Sequence, residues 1–254
     1  MQTDSGSGVQ SIDRALQLVE RLADAGGSMG LAQLQAATGL PLPTVHRLLR
    51  SLAHNGYVRQ DPARRYTLGP RLIRLGEEAG RELGSWAKPR LAELVAEIGE
   101  TANMALLEGD AVVYVAQVPS AHSMRMFTEV GRRVDAHCTG VGKALLSQLP
   151  DRHVLELLGR TGMPAQTSRT LTDPSALLAE LSEVRDQGWA MDDAEQEVGV
   201  RCVAVPVAGA PTQAALSISG PSGRITVERV AQIAPILQRV ADGLAADLDG
   251  NPPD

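Results

Sequence analysis

The sequence predicts a molecule of two parts. A small, mostly helical domain ends near residue 69, and a larger α+β domain follows it. Three observations carry this reading. Up to about residue 52 the apolar residues recur at three- and four-residue spacing, whereas from Thr101 they fall in short runs suited to strands. Gly69-Pro70 punctuates the interval between the two patterns. Charge is also segregated. Residues 40–71 contain six arginines (Arg47, Arg50, Arg59, Arg64, Arg65, Arg71) and one acid (Asp61), a net +5 in a chain of net −6, which leaves −11 for the rest.

The helical part reads in order as follows. Residues 1–8 are rich in Ser and Gly and are expected to be disordered. Ser11 is an expected N-cap for a first helix reaching about Ala25, with Ile12, Ala15, Leu16, Val19 and Leu22 on its apolar face. Leu31, Leu34, Ala36 and Ala37 face inward on a second helix. Thr38-Gly39-Leu40-Pro41 stops that helix, because glycine tolerates positive φ and proline cannot continue it. Val45, Leu48, Leu49 and Leu52 give a third helix a buried stripe that leaves Thr44, His46, Arg47, Arg50 and Ser51 on its other face. Asn55-Gly56 ends it. Residues 57–60 and 65–68 then read as paired strands around the turn Asp61-Pro62-Ala63-Arg64.

Two helices across a tight turn, followed by a basic hairpin, form the pattern of a winged helix-turn-helix. Its chemistry is the reading of duplex DNA. The second helix of the pair lies in the major groove, and the wing meets backbone or minor groove. The residues expected at DNA are Pro43, Thr44, His46, Arg47 and Arg50 on that helix, and Arg59, Arg64 and Arg65 on the wing. The +5 segment on an acidic chain agrees with this. The plainer alternative is a small helical domain whose arginines are only solvated.

Composition limits the remaining choices. With 254 residues and 43% apolar content the chain is globular and long enough for two cores. Aromatics make up only 2%, so those cores must be aliphatic. Lys88 and Lys143 are the only lysines. No apolar run approaches the 18 or so residues of a membrane span and no signal peptide is visible, so a soluble cytoplasmic protein is expected. Cys138 and Cys202 are far apart, and no disulfide is expected between them.

Beyond Pro70, residues 71–83 read as a linker helix suited to a dimer interface or to packing on its own chain. Residues 86–98 read as a further helix ending at Gly99. Strands are expected at 102–107 and 111–118 around a Glu108-Gly109-Asp110 turn, with a third at 124–128. Helices follow at 140–149, 151–158 and 173–187, the last with Asp173 as N-cap, Pro174 at its first position and Gly188 after its end. Strands at 189–191, 202–207 and 214–219 and a closing helix at 225–248 complete an α+β domain around one antiparallel sheet. Residues 249–254 read as a polar tail.

The motifs SIDRALQLVERL, ATGLPLPTVHRLLRSL, GYVRQDPARRYTLGPRLIRLG, HCTGVGKALL, GWAMDDAEQEVGVRCVAVPV and ALSISGPSGRIT stand in this order along nearly the whole chain, from about residue 9 to 248. Together they resemble the IclR family of bacterial transcriptional regulators. The resemblance implies a winged helix-turn-helix domain at residues 9–69, a linker helix at 70–84 and a GAF-like effector-binding domain at 85–249. It also implies a homodimer, often paired into a tetramer, on double-stranded DNA. The segment TANMALLEGDAVVYVAQVPSAHSMRMFTEVGRRV is more narrowly similar to the branch that represses allantoin and purine catabolism and responds to glyoxylate. One departure is Leu42-Pro43 at the start of the recognition helix. Relatives often carry a small hydroxyl residue there, and neither residue here can donate that bond to phosphate.

The expected effector is a small carboxylate. His137-Cys138-Thr139-Gly140-Val141-Gly142-Lys143 leads into an apolar helix, and Gly140 and Gly142 let the backbone approach a ligand. The stretch lacks the longer loop of a nucleotide-binding P-loop. From local sequence it equally reads as a turn that packs a helix on a sheet. The resemblance places ligand contacts at Gly140, Val141, Asp192, Cys202, Ser217 and Ser219. Ser217 and Ser219 alternate onto one strand face, so both hydroxyls can enter one cavity. Some relatives carry a metal in this domain, but His137, Cys138 and Cys202 have no metal-ligand spacing, so no metal or other cofactor is expected. Glu195 and Glu197 read as solvated loop acids. A repressor released by its effector is the leading reading. An enzyme acting on a small organic acid is the first rival, although no nucleophile–base–acid set and no GxSxG is visible. A regulator without a small ligand is the second.

Overall fold

The computed structural model describes residues 9–84, 87–126, 129–210 and 212–250, with backbone alone at 81–83 and 248–250. It divides into two compact units, at residues 1–79 and 80–254. The expected disorder of residues 1–8 and the chain end beyond 250 lie outside the described residues.

In the first unit α1 (Gln10–Asp24), α2 (Leu31–Thr38) and α3 (Leu42–His54) precede a hairpin of β1 (Val58–Gln60) and β2 (Tyr66–Leu68). Leu18, Leu22, Leu34, Val45, Leu48, Leu49, Val58 and the aromatic Tyr66 form its hydrophobic core. Gly39, at φ +66°, makes the left-handed stop between α2 and α3 that the sequence predicts. The expected Ser11 cap is not formed: α1 begins two residues earlier than that cap implies, at Gln10, and Val9 precedes it with no side-chain cap. The hairpin pairs Val58 with Leu68 and Gln60 with Tyr66, and Tyr66 also bridges to Met29, which ties the wing to the loop before α2. Helix α4 (Arg71–Leu83) starts on this unit, where the Arg71 guanidinium lies over the Tyr57 ring and donates to the Asn55 carbonyl at 3.2 Å.

The second unit is built on a six-stranded antiparallel sheet. Its strands are β3 (Thr101–Glu108), β4 (Ala111–Val118), β5 (Arg133–Val134), β6 (Ala190–Asp193), β7 (Val200–Val207) and β8 (Ala214–Pro221), in the order β5-β4-β3-β8-β7-β6. The expected strand at 124–128 is absent over Met124–Met126, while Phe127 and Thr128 lie outside the described residues. Arg133–Val134 takes the edge position instead, pairing with Val113 and Val112. Helices α5 (Lys88–Ile98) and α9 (Val227–Gly250) cover one face, with Met104, Leu106, Val113, Val203, Val205, Leu216 and Ile218 beneath them. Helices α6 (Gly140–Leu146), α7 (Asp151–Thr161) and α8 (Pro174–Gln187) cover the other. The Asp173 carboxylate caps α8 by accepting from the Ala176 amide at 3.0 Å, as its sequence predicts. The expected start of α5 at Trp86 lies outside the described residues, and α6 is three residues shorter than expected.

The face under α6 differs from its opposite. Side chains alternate across the pleat, so the aliphatic residues of β3, β7 and β8 turn toward α5 and α9. Ala105, Ala204, Ala215 and Ala190 turn toward α6, together with polar neighbours. The polar side chains Thr101, Asn103, Asp192, Cys202, Ser217 and Ser219 share this face with them.

Candidate DNA interface and effector site

Helix α3 buries Val45, Leu48 and Leu49 and exposes Pro43, His46, Arg47 and Arg50, with Thr44 half-buried. The expected reading face is therefore open to solvent. In the wing, Arg64 holds φ +59° to close the turn, and its side chain is exposed. The turn is locked by Asp61, whose carboxylate accepts from the Arg65 amide at 2.8 Å. Arg59 is exposed, and its Nε donates to Thr67 Oγ1 at 3.0 Å. Arg65 departs from the expected pattern. Its guanidinium turns inward, donating to Ser28 Oγ at 2.7 Å and to the Ser28 carbonyl, so it anchors the wing to the loop after α1.

In the second unit, strand register assembles what was scattered in sequence. One row runs Asp192–Cys202–Ser219–Thr101 across β6, β7, β8 and β3. The next row on the same face runs Ala204–Ser217–Asn103–Gln117 across β7, β8, β3 and β4. Gly140, at the start of α6, lies over Cys202: a Cβ there would stand 2.9 Å from the Cys202 sulfur. At Gly142 a Cβ would stand 2.2 Å from the Ala136 carbonyl oxygen, so the helix can sit this low only with glycine. Gly142's amide, however, donates to Thr139 Oγ1 at 3.2 Å and caps the helix. Among the expected residues Asp192, Cys202, Ser217 and Ser219 share one sheet face with Gly140 over it, whereas Val141 packs into the aliphatic core and Gly142 serves the start of α6.

Electrostatics around this patch is unbalanced. Asp192 Oδ1 accepts from the Glu195 amide at 2.7 Å and the Gln196 amide at 3.4 Å, yet burial pushes its carboxyl up to about 6, with the neighbouring Glu195 adding to the effect. Burial likewise raises Cys202 to about 11, so it stays a thiol at neutral pH. Glu195 corrects an expectation: it is not a solvated acid but is 7% exposed, and one carboxylate oxygen is buried without a partner. Its other oxygen accepts at 2.5 Å from Lys143, which is fully buried on α6 and donates also to Glu180 of α8 at 2.5 Å. Burial opposes the ammonium, but Glu195 and Glu180 together raise its pKa and hold it charged. Nothing in the spacing of Lys143, Glu180 and Glu195 marks them as one cluster.

Sequence reasoning also missed Asn103. It is fully buried in the middle of the patch, with Nδ2 at 3.4 Å from both Ser217 Oγ and Ser219 Oγ. Its position in the period-two run of β3 is the signal that could have found it. Elsewhere, Asp135, His137 and Cys138 bring possible ligand atoms within 4.8 Å of one another, but each has a protein partner. His137 Nε2 pairs with the Pro164 carbonyl, Cys138 donates to Gln196, and Asp135 accepts from Gln166.

Known families match both units. Residues 11–62 match the IclR helix-turn-helix domain, and residues 79–246 match the family described as bacterial transcriptional regulator IclR C-terminal. The chain belongs to the IclR family. Among its relatives it is 37% identical over 240 residues to the transcriptional repressor IclR of Escherichia coli, covering 92% of this chain and 88% of that one. It is 31% identical over 252 residues to the transcriptional repressor AllR of Salmonella paratyphi A, covering 97% and 92%. An IclR regulator structure from Alicyclobacillus acidocaldarius superimposes with a TM-score of 0.82 at 28% identity, covering 94% of this chain and 98% of that one. These relatives are described as regulators, and the rival reading of an enzyme falls with the family assignment. No helix among the described residues is long and apolar enough to cross a membrane.

Proposed function

We propose that this IclR-family regulator is a repressor that binds a palindromic operator and lets go when a small carboxylate enters the patch beneath α6. The observation that carries the reading is the exposed Arg47 and Arg50 on a helix whose other face is sealed into its own core. Exposed guanidiniums suit base edges and phosphates, and the wing arginines Arg59 and Arg64 extend that surface.

A homodimer, with a dimer of dimers beyond it, is part of the proposal. In the first unit α1 exposes Ile12 and Leu16, while α4 exposes Ile73 and Leu75. Large apolar residues so concentrated suit burial against a second copy. A dimer presents two α3 helices to half-sites about 10 base pairs apart, one helical turn. Effector binding must favour the weakly binding arrangement by a coupling of ~1–3 kcal/mol to release DNA.

For the effector, the chemistry favours a short acid. Ser217, Ser219 and Asn103 offer hydroxyl and amide donors, and Asp192 can accept from a hydroxyl or hydrated carbonyl. Glyoxylate and related acids are the first to test, in keeping with the resemblance to the allantoin-pathway branch. The direct experiment is fluorescence anisotropy on DNA from the gene's own upstream region. Saturable binding with a steep salt slope, reversed by one of a set of two- to eight-carbon acids, supports the proposal. Binding that no acid relieves favours a regulator without a small ligand.

A further inference from the structure

We infer that Asn103 is the residue that receives the effector's carboxylate, and that Gln117 sets Asn103 to do so. The inference deepens the effector reading and rests on it. It starts from an under-used donor. Asn103 is fully buried, and both contacts of its Nδ2 are 3.4 Å long. Ordinary N–H···O bonds cluster near 2.9–3.0 Å, so neither serine satisfies this amide well. A buried donor in weak contacts gains more from an acceptor supplied by a ligand than a solvated one does.

The amide is also oriented. Gln117 Nε2 donates to Asn103 Oδ1 at 3.0 Å, which holds the carbonyl end toward β4 and the NH2 end toward Ser217 and Ser219. Gln117 thus decides which end of Asn103 a ligand meets.

Charge fixes the direction in which an acid must lie. At the β6 end of the patch stand Asp192, Glu195 and, through Lys143, Glu180: three carboxylates facing one ammonium. Burial there already raises both Asp192 and Glu195. A carboxylate placed at that end would add a fourth like charge. Away from β6 the groups are neutral: Ser217 and Ser219 on β8, Asn103 on β3 and Gln117 on β4. An acid therefore lies with its anionic end on Asn103 and its uncharged end toward Asp192.

The test is calorimetry on the full-length protein with glyoxylate, lactate and benzoate, alongside lactamide and benzamide as neutral isosteres. Wild type is expected to bind an acid and to reject its amide. Asn103→Leu, which keeps the number and branching of the heavy atoms but removes the amide, should weaken acid binding ten- to a hundredfold. Asn103→Asp should reverse the preference toward the amide. Gln117→Glu is the sharper variant, because position 103 is untouched. A glutamate cannot donate to Oδ1, so it turns the Asn103 amide round, points its carbonyl at the ligand and reproduces the reversal. Should Asn103→Leu fail to fold, the half-buried Gln117→Glu decides, with DNA binding as the check on its integrity. Acid affinity and acid-to-amide preference within twofold of wild type in the folded variants would overturn the inference while leaving the effector reading intact. A wild type that binds none of the acids overturns the effector reading, and this inference falls with it.

Discussion

The two units handle charge in opposite ways. In the first, Arg47, Arg50, Arg59 and Arg64 stand exposed, without a carboxylate partner among the described residues. In the second, Lys143, Glu195 and Asp192 are buried and locked to one another. Exposed cations attract a polyanion over about a Debye length, ~8 Å at physiological salt, and lose that attraction as salt rises. Buried charges act on their neighbours and are screened far less by salt, and their protonation depends on what sits beside them. One arrangement suits a large, repetitive partner and the other a small ligand that must displace little.

The comparison breaks most visibly at the arginines. Replacing Arg47, Arg50, Arg59 and Arg64 together by alanine should lower DNA affinity by about 10²-fold or more at 0.15 M salt and flatten the salt slope. A slope unchanged from wild type would mean these side chains do not meet phosphate.

At Lys143 the effect should fall on stability and not on salt. Lys143→Met strands Glu195 and Glu180 and should cost about 3–5 kcal/mol in denaturant unfolding. The two carboxylates, left facing each other, acquire folded pKa values above their unfolded ones. The favourable contribution of such groups is complete at low pH and lost as pH rises, so the deficit should be smaller at pH 5 than at pH 8. A deficit independent of pH would count against the buried-charge account.

Asp192 offers a smaller change of opposite sign. Its folded pKa, about 6, lies above the ordinary carboxylate value, so its contribution is full below pH ~4 and is lost as pH rises through 6. Asp192→Asn keeps an oxygen for the two backbone amides and should raise stability by about 2–3 kcal/mol at pH 8, with no gain at pH 4. For the same reason an acid should bind wild type more tightly as pH falls through 6, and this dependence should flatten in the variant. Equal thermal stability of the two proteins at pH 8 would contradict the burial argument.

The mildest contrast separates adjacent wing residues. Arg64→Ala should reduce the salt slope by about one. Arg65→Ala, by releasing the wing from Ser28, should lower stability by about 1 kcal/mol and leave the slope alone. Identical slopes in the two variants would erase the distinction.

Legibility differed between the units for a physical reason. In the first, most of what identifies the reading face is local, so the spacing of Val45, Leu48 and Leu49 already tells which face of α3 remains free, whereas the Arg65–Ser28 anchor joins residues 37 positions apart. The turn residues Gly39 and Asp61 carry their own geometry. In the second, Asp192, Cys202, Ser219 and Thr101 span 118 positions, from 101 to 219, and meet only through strand register. The resemblance supplied several of these residues, but not Asn103, Gln117 or Lys143.

From sequence alone one could determine the two-part organisation, the open face of α3, the basic wing and the capped α8, because periodicity, charge and turn chemistry are properties of short stretches. Only the tertiary structure decided that Arg65 turns inward, that Glu195 is buried against Lys143, and that Asn103 stands at the centre of a polar patch. Each of those depends on which distant segments close over a side chain and remove it from water, and no local pattern encodes that.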